Sequence, residues 1–293
     1  MDTELAPPPD GGVEPFRERW PEAVGSLSPS RAGDFVSCPL LYRFRTVDRL
    51  PERPSVDAAR GTLVHKVLED LFDRPPEERT PVTAAAMLEP AWKVLVEEEP
   101  ELTTLFERDG IADETALAAW LASCRAALER YFALEDPRRL EPADRELYLE
   151  SMTDSLLVLR GIIDRVDLAA DGAIRVVDYK SGRSPREGSE ARALFQLKFY
   201  ALLLWRTRGV VPHRLQLMYL GDGQIVSYDP DEQDLVATER KVEAIWEAIS
   251  LARETGEWLP SPGALCRWCD HQALCPAFGG TPPPLPEAPA SSG

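Results

Sequence analysis

The chain has 293 residues, 44% of them hydrophobic, which is enough to bury a substantial core in one large domain or two small ones. Its formal net charge of −17 argues against nucleic-acid binding if the charge is spread evenly, because phosphate contacts need Lys and Arg. The start carries no basic or apolar run, and no stretch of about 18 apolar residues follows, so we expect a cytoplasmic protein without a membrane span.

The charge is distributed unevenly along the chain. From Arg160 to Arg214, 11 basic side chains stand against 6 acidic ones, a local net charge of +5. From Val64 to Arg145, 10 basic side chains stand against 19 acidic ones, a local net charge of −9. A basic band therefore crosses an acidic protein, and a basic band is what contact with phosphates requires.

Composition predicts disordered tails at both ends of the chain. Residues 1–27 are rich in Pro, Gly and Glu, and residues 279–293 are rich in Pro, Ala, Ser and Gly. Between the tails, residues 28–278 are predicted to form a single domain.

The first half of that domain is predicted to be helical. Ser30 is a predicted N-cap of a short helix, and Gly61–Phe72 is predicted as a second helix with an apolar stripe. The acidic stretch 82–145 is predicted as a helical insertion. Cys124 lies on an apolar stripe of that insertion, so it is interpreted as packed core.

Beyond Glu146 the apolar period changes from helical to two, which predicts a mixed α/β core at residues 146–228. The predicted elements are strands at Leu156–Arg160, Ile162–Leu168 and Ile174–Lys180, a helix at about Glu190–Arg208, strands at Arg214–Leu220 and Gln224–Tyr228, and a long helix to about Glu257. No G-x-x-x-x-G-K-[ST] loop is present, so no ATPase motor is expected.

Two acidic residues are predicted to face each other across neighbouring strands. Alternation puts Asp164 and Val166 on one apolar face of the first strand, and Asp178 and Lys180 on one apolar face of the second. A hairpin loop centred on Asp171 sets Asp164 directly opposite Asp178, with Cβ atoms roughly 5 Å apart. Because two carboxylates at that distance repel strongly unless a cation lies between them, the arrangement predicts a divalent metal site.

Lys180 lies about 7 Å along the strand from Asp178, on the same face. Its ammonium group can orient a water molecule or stabilise charge that develops on a phosphate. The alternative is a surface hairpin whose charged residues only form salt bridges. Val176 and Val177 before the acid favour a buried strand, where an unpaired carboxylate is costly.

Four of the five cysteines have the spacing of a metal centre. Cys38 stands alone near the start, and Cys266, Cys269 and Cys275 close the chain in C-R-W-C-D-H-Q-A-L-C-P. In a reducing compartment this pattern favours a metal site over disulfides. Four thiolates can hold Zn²⁺ or a [4Fe-4S] cluster, and either would link the N-terminal helix to the C-terminus.

These motifs, taken in order, resemble the PD-(D/E)xK nucleases, and the RecB-like exonuclease branch in particular. The nuclease signature is Asp164 followed by D-Y-K at Asp178–Lys180. G-T-L-V-H-K-V-L-E resembles the His motif of that branch at His65, and Q-L-K-F-Y resembles its Q-x-x-x-Y motif at Gln196 and Tyr200. S-R-A-G-D-F-V-S-C-P and the terminal cysteines resemble the iron-sulfur variant, shared by AddB-type nuclease domains and CRISPR-associated adaptation nucleases.

The resemblance implies a restriction-endonuclease-like core, with a mixed sheet flanked by helices, and a deoxyribonuclease that acts on single-stranded DNA ends in repair or recombination. Asp164 and Asp178 are implied to bind Mg²⁺ or Mn²⁺, with His65 and the Tyr179 carbonyl as further ligands. Lys180 is implied to assist an activated water. The resemblance also favours a [4Fe-4S] cluster over structural Zn²⁺.

The resemblance assigns DNA contacts to Gln196 and Tyr200, although their i, i+4 spacing on an apolar helix suits Tyr200 equally to the core. Arg165 and Arg183 are candidates to follow the DNA backbone, and each could instead be a solvated side chain. Glu146 stands where related sequences often carry an acid. A surface glutamate is the simpler interpretation, so Glu146 is left outside the predicted site.

Two other functions stay open. The chain could be a DNA-binding accessory subunit of a helicase–nuclease complex, or a CRISPR-associated nuclease that trims spacer DNA with partner proteins. The intact set of two Asp, Lys and His argues against the first, since that charge cluster is costly without a metal. The expected partners are DNA with free or single-stranded ends and helicase or repair proteins.

Overall fold

A computed structural model describes residues 19–108, 110–185 and 191–286. Within these ranges the chain divides into two compact units. The larger unit contains Pro54–Glu150 and Gly161–Leu235, and the smaller contains the described parts of Pro8–Arg53 and Val236–Gly293 with Ser151–Arg160. The segment expected to form a single domain is therefore divided between two units.

The α-helices in chain order are α1 (Pro29–Ser37), α2 (Pro39–Tyr42), α3 (Val56–Leu71), α4 (Pro81–Glu98), α5 (Glu114–Leu134), α6 (Ala191–Arg208) and α7 (Glu232–Thr255). The strands are β1 (Gly25–Leu27), β2 (Glu107–Arg108), β3 (Ile111–Ala112), β4 (Asp144–Met152), β5 (Leu157–Leu168), β6 (Ile174–Lys180), β7 (Arg214–Tyr219) and β8 (Gln224–Tyr228). A π-helical turn covers Arg43–Val47, and 3₁₀ turns cover Pro76–Glu78, Pro100–Phe106, Pro137–Arg139, Ala264–Trp268, Gln272–Leu274 and Pro276–Phe278.

The larger unit is built on a mixed sheet in which β5, β6, β7 and β8 lie in that order. β6 pairs antiparallel with β5 and parallel with β7, and β8 is antiparallel to β7. The β5–β6 pairs Arg165–Val177 and Leu168–Ile174 are centred on Asp171, so the predicted hairpin register is confirmed. A mixed sheet with flanking helices is the predicted fold class.

The two faces of β6 contact different helices. Val177 and Tyr179 point into an apolar core formed with α3, α4 and α5. Asp178 and Lys180 point to the other face, where Lys180 hydrogen-bonds Gln196 of α6. Because β6 is buried on both sides, its acidic residue is held in a desolvated place.

The smaller unit joins both ends of the described chain. β1 pairs in parallel with the first three residues of β5, and an added Cβ at Gly25 would lie 2.2 Å from the Trp246 ring. The rings of Tyr42 and Trp258 stack with centroids 5.9 Å apart. Arg53 forms an ion pair of 2.8 Å with Asp270.

Several predicted boundaries are corrected by the structure. β1 lies inside the segment 1–27 that was predicted as a tail; residues 1–18 and 287–293 of the predicted tails lie outside the described residues. Residues 279–286 have no regular secondary structure, and Ser28 rather than Ser30 caps α1. β5 is one strand where two were predicted.

Two strand features were missed altogether. The insertion predicted as all-helical contains the short antiparallel pair of β2 and β3 between its helices. β4 was not predicted, although it carries Glu146.

Within the described residues, no helix is both long enough and apolar enough to cross a membrane.

Candidate active site

Asp178 is the most buried acid of the candidate site, with 1% of its surface exposed. Lys180 Nζ lies 2.7 Å from Asp178 Oδ2, so the buried carboxylate is ion-paired with the ammonium group. Burial and the neighbouring carboxylate of Asp164 raise the pKa of Asp178 to about 6, against the lowering effect of Lys180. A buried carboxylate beside a second carboxylate is stabilised by cations, which Lys180 supplies in part and a metal ion would add to.

Asp164 lies at the point where the β5–β6 ladder ends. The last paired residues are Arg165 and Val177, and Asp164 Oδ2 then accepts a hydrogen bond of 2.7 Å from the Tyr179 N–H. Of the apolar residues that alternation places on the face of Asp164, Val166 is buried, whereas Ile162 and Leu168 are 40% and 56% exposed.

His65 projects from α3 toward the Tyr179 carbonyl of β6 and the Asp164 carboxylate of β5. Its Nε2 lies 2.9 Å from the Tyr179 carbonyl oxygen, which can only accept, so Nε2 carries the proton in the neutral ring. Nδ1 is then a lone pair 3.5 Å from Asp164 Oδ2, which is also an acceptor. Two acceptors at this distance are stabilised by a proton or a cation between them.

Glu146, which the sequence pattern does not place in the site, lies beside His65 and Asp164. Donor atoms of His65, Glu146 and Asp164 all lie within 4.8 Å of one another, and no other such group of three occurs among the described His, Cys, Asp and Glu residues. Burial raises the pKa of Glu146 to about 8, and the carboxylates of Asp164 and Glu69 add to the shift. Its φ of 43° is in the left-handed region, which is strained for a glutamate and is found at functional sites.

The donor set fits a divalent metal ion. Two carboxylates and one imidazole converge within 4.8 Å, with the Asp178 carboxylate on the neighbouring strand, and they combine the oxygen ligands that Mg²⁺ prefers with a nitrogen ligand that Mn²⁺ also accepts. The Tyr179 carbonyl, predicted as a further ligand, uses one of its two lone pairs to accept from His65.

Lys180 is held by a chain of hydrogen bonds from α6. Its Nζ donates to Gln196 Oε1 at 2.8 Å, and Gln196 Nε2 donates to the Tyr200 hydroxyl at 2.9 Å. Tyr200 is 7% exposed, and an added Cβ at Gly161 would lie 2.9 Å from its ring. Because Tyr200 is buried, little of its surface can contact DNA. Its hydroxyl instead accepts a hydrogen bond from Gln196 and orients that side chain.

The two arginines predicted to contact DNA differ in placement. Arg165 is 1% exposed and ion-paired inside the protein, so the prediction that it follows the DNA backbone is wrong. Arg183 is exposed on the loop directly after β6. That loop is held by Ser184, whose N–H and hydroxyl both donate to the Asp222 carboxylate.

The four terminal cysteines lie in the smaller unit with free thiols. Cys38 Sγ accepts a hydrogen bond of 3.4 Å from the Ser261 N–H, so the N-terminal cysteine lies against the C-terminal segment. Burial raises the pKa of Cys269, and the nearby Cys38 and Cys266 also raise it. No three described cysteine sulfurs lie within 4.8 Å of one another, whereas thiolates on one tetrahedral Zn²⁺ are about 3.8 Å apart.

The metal-free protein is expected to lose stability as the pH rises from about 5 to about 8. The pKa of Asp178, about 6, and that of Glu146, about 8, exceed unfolded values of roughly 4. The folded state therefore binds more protons in this window, and its free energy of unfolding falls as the pH rises. Thermal unfolding in EDTA at several pH values measures this.

Glu146→Gln is the matched variant for that experiment, because it keeps the shape of the side chain without its titration. The unfolding temperature of the wild type relative to Glu146→Gln should fall between pH 5 and pH 8, and Mn²⁺ should restore the wild type at pH 8. A constant difference across this range would contradict the raised pKa of Glu146.

The whole chain is similar to several known proteins. A family model described as the PD-(D/E)XK nuclease superfamily matches residues 26–276. The Gene 69 protein of Mycobacterium phage D29 is 29% identical over 273 residues, 86% of this chain and 96% of the relative. The Gene 69 protein of Mycobacterium phage L5 is 24% identical over 292 residues, with the same coverage of 86% and 96%.

Among solved structures, a crystal structure from Eubacterium rectale of a protein assigned as an exonuclease is similar in fold. It superposes with a TM-score of 0.53 and 14% identity, covering 87% of this chain and 90% of that one. At this identity the likeness shows the fold alone.

Proposed function

The chain belongs to the PD-(D/E)XK nuclease superfamily, and we propose that it is a divalent-metal-dependent DNA exonuclease that acts on single-stranded ends. The observation that carries the proposal is the convergence of His65, Glu146 and Asp164 within 4.8 Å. Buried Asp178 and Lys180 complete the set on the neighbouring strand. Carboxylates that hold a metal, with an ammonium group beside them, suit metal-assisted phosphodiester hydrolysis.

The residues that would hold Mg²⁺ or Mn²⁺ are His65, Glu146, Asp164 and Asp178. When bound, the ion lowers the pKa of a water molecule and polarises the phosphodiester. The Tyr179 backbone holds two of these ligands in place, since its N–H bonds Asp164 and its carbonyl bonds His65.

Lys180 acts directly on the substrate in this proposal. An ammonium group has three N–H donors, and the neighbours Asp178 and Gln196 account for two directions around Nζ. The third is free to donate to a scissile phosphate oxygen or to the attacking water. Because Gln196 fixes the side chain, the donor is oriented before the substrate binds.

The preference for DNA ends is supported by two likenesses. The motifs at His65, Asp178–Lys180 and Gln196 resemble the RecB-like exonucleases, which act in repair and recombination with helicase partners. The fold is similar to a protein assigned as an exonuclease. Exposed Arg183 follows the catalytic strand directly and is the candidate for the first contact with the DNA backbone.

We expect linear single strands to be degraded and covalently closed single-stranded circles of the same sequence to resist. An exonuclease needs a terminus, and a circle has none. The linear substrate should be made by one cut in the circle, so that sequence and length are matched, and both should be incubated with Mg²⁺ or Mn²⁺.

The Asp178→Ala variant is the control for contaminating nucleases in both reactions. Loss of circles and linear strands at equal rates would contradict the exonuclease and would indicate an endonuclease at the same site.

The four cysteines are proposed to bind a [4Fe-4S] cluster that stabilises the smaller unit. Cluster ligands bind different irons, so their sulfurs need not meet the close spacing of a zinc site. The N–H groups of Ser261 and Gly263 donate to Cys38 Sγ and Cys266 Sγ, and such bonds are typical around cluster thiolates.

A further inference from the structure

A buried network of charges lies on the face of β6 opposite Asp178 and Lys180. Arg165, 1% exposed, donates from Nη2 to Glu135 Oε2 at 3.0 Å and from Nη1 to the second oxygen of that carboxylate. Nη1 also donates to the Tyr179 hydroxyl at 2.6 Å and contacts the Tyr131 hydroxyl at 3.4 Å. One guanidinium group thus joins β5, β6 and the end of α5.

Tyr179 connects this network to the metal ligands. Its ring lies on the network face, 5.9 Å from the His65 ring between centroids, and its backbone hydrogen-bonds both His65 and Asp164. The Tyr179 N–H donates to Asp164 at 2.7 Å, and the Tyr179 carbonyl accepts from His65 at 2.9 Å. A displacement of the Tyr179 ring would therefore move the hydrogen-bond partners of both ligands.

The network is fixed from several directions. Glu135 is the residue that ends α5, and Asp167 accepts from Arg165 Nη2 at 3.2 Å. Arg175 forms an ion pair of 2.7 Å with Asp167. The Arg165 guanidinium also lies 5.5 Å from the centre of the Phe72 ring.

A buried ion network is a poor source of stability, because apolar side chains of similar size often serve as well. A planar guanidinium group instead fixes the positions of its hydrogen-bond partners, because its N–H donors are rigid relative to one another. That property suits a part of the protein in which the position of one tyrosine matters.

We propose that Arg165 and Glu135 are positioning residues, which hold Tyr179 where its backbone orients His65 and Asp164 for the metal. The inference rests on the proposed function. It replaces the predicted role of Arg165 as a DNA contact, and it gives the helical insertion a part in the metal site through Glu135.

Two variants test the network without adding bulk. Tyr179→Phe removes only the hydroxyl that accepts from Arg165, and Arg165→Lys keeps the charge but loses the fork of donors. Both are expected to weaken Mn²⁺ binding by about 10-fold, the size of effect that residues supporting metal ligands usually show. Binding is measured by electron paramagnetic resonance of free Mn²⁺, without DNA, alongside the unfolding temperature.

Arg79→Lys is the matched control for general destabilisation. Arg79 is 3% exposed, donates to the carbonyls of Phe72 and Leu140, and lies 5.2 Å from the centre of the Phe72 ring. The Arg79→Lys variant should unfold at a lower temperature than the wild type and bind Mn²⁺ with the wild-type affinity.

The outcomes separate the inference from the function on which it rests. If wild-type protein binds no Mn²⁺, the proposed function fails and the inference fails with it. If the wild type binds Mn²⁺ and Arg165→Lys and Tyr179→Phe bind it as tightly as Arg79→Lys, the positioning role is overturned. If Arg165→Lys does not fold, Tyr179→Phe alone decides.

Discussion

Replacement of Asp178 with alanine is expected to abolish DNA cleavage and to leave the fold intact. The Asp178 carboxylate is 1% exposed and lies 2.7 Å from Lys180 Nζ, so both the proposed metal ion and the ammonium group would lose a partner. Loss of several kcal/mol of charge stabilisation corresponds to a rate decrease of roughly 10³-fold or more. End-labelled single-stranded DNA with Mg²⁺ or Mn²⁺ measures the rate.

Asp178→Ala should lose activity without losing thermal stability. In the absence of metal, Asp178→Ala removes a buried acid whose pKa is raised to about 6, so its unfolding temperature at pH 8 should equal or exceed that of the wild type.

Asp164→Ala should be as inactive as Asp178→Ala, and Lys180→Ala should be inactive with metal binding largely kept.

Asp171→Ala is the matched control, because Asp171 is exposed in the loop between the two catalytic strands. It should cleave at the wild-type rate. Wild-type cleavage by Asp178→Ala in a nuclease-free preparation would refute the active-site assignment.

Loss of any one of the four terminal cysteines is the second large effect expected. Anaerobically purified protein should be brown and carry about four irons per chain. Substitution of Cys38, Cys266, Cys269 or Cys275 by alanine should lower iron content and unfolding temperature together, because cluster binding contributes folding free energy. Iron analysis and thermal unfolding are measured on the same samples.

Cys124→Ala is the internal control for that series. Cys124 is fully buried among α-helices of the larger unit, where burial raises its pKa to about 11, so it is a neutral thiol in the core. Its substitution should cost a modest loss of packing with iron unchanged. A colourless protein with one zinc per chain would exclude the cluster, and iron loss in Cys124→Ala would overturn the ligand set.

The hairpin that carries the site could be predicted because alternation and loop length are local properties of the sequence. Ile174–Lys180 was predicted with the bounds of β6, and the register through Arg165 and Val177 follows from the centre of the loop. These features place Asp164 beside Asp178 without any knowledge of the rest of the fold.

Glu146 could not be placed in this way. All residues of β4 are half-buried, so the strand has little contrast between its faces, and no strand was predicted there. The left-handed backbone of Glu146 has no local signal either, since glutamate rarely adopts it. An acid ahead of the catalytic strands was the one available indication.

The role of Arg165 was hidden for a different reason. Arginine is usually exposed, and a basic band predicts contact with phosphates rather than burial. Its partner Glu135 lies 30 residues away at the end of another element, so only the folded chain brings the two together.

The most direct test of the metal site is one titration of Mn²⁺ that follows binding and cleavage of labelled linear single-stranded DNA in the same samples. We expect cleavage to be absent in EDTA, to appear with Mn²⁺ and to saturate with binding, and both to be lost in Asp164→Ala. Cleavage that continues unchanged in EDTA would contradict metal-dependent hydrolysis. Mn²⁺ binding by Asp164→Ala equal to that of the wild type would contradict the proposed metal site.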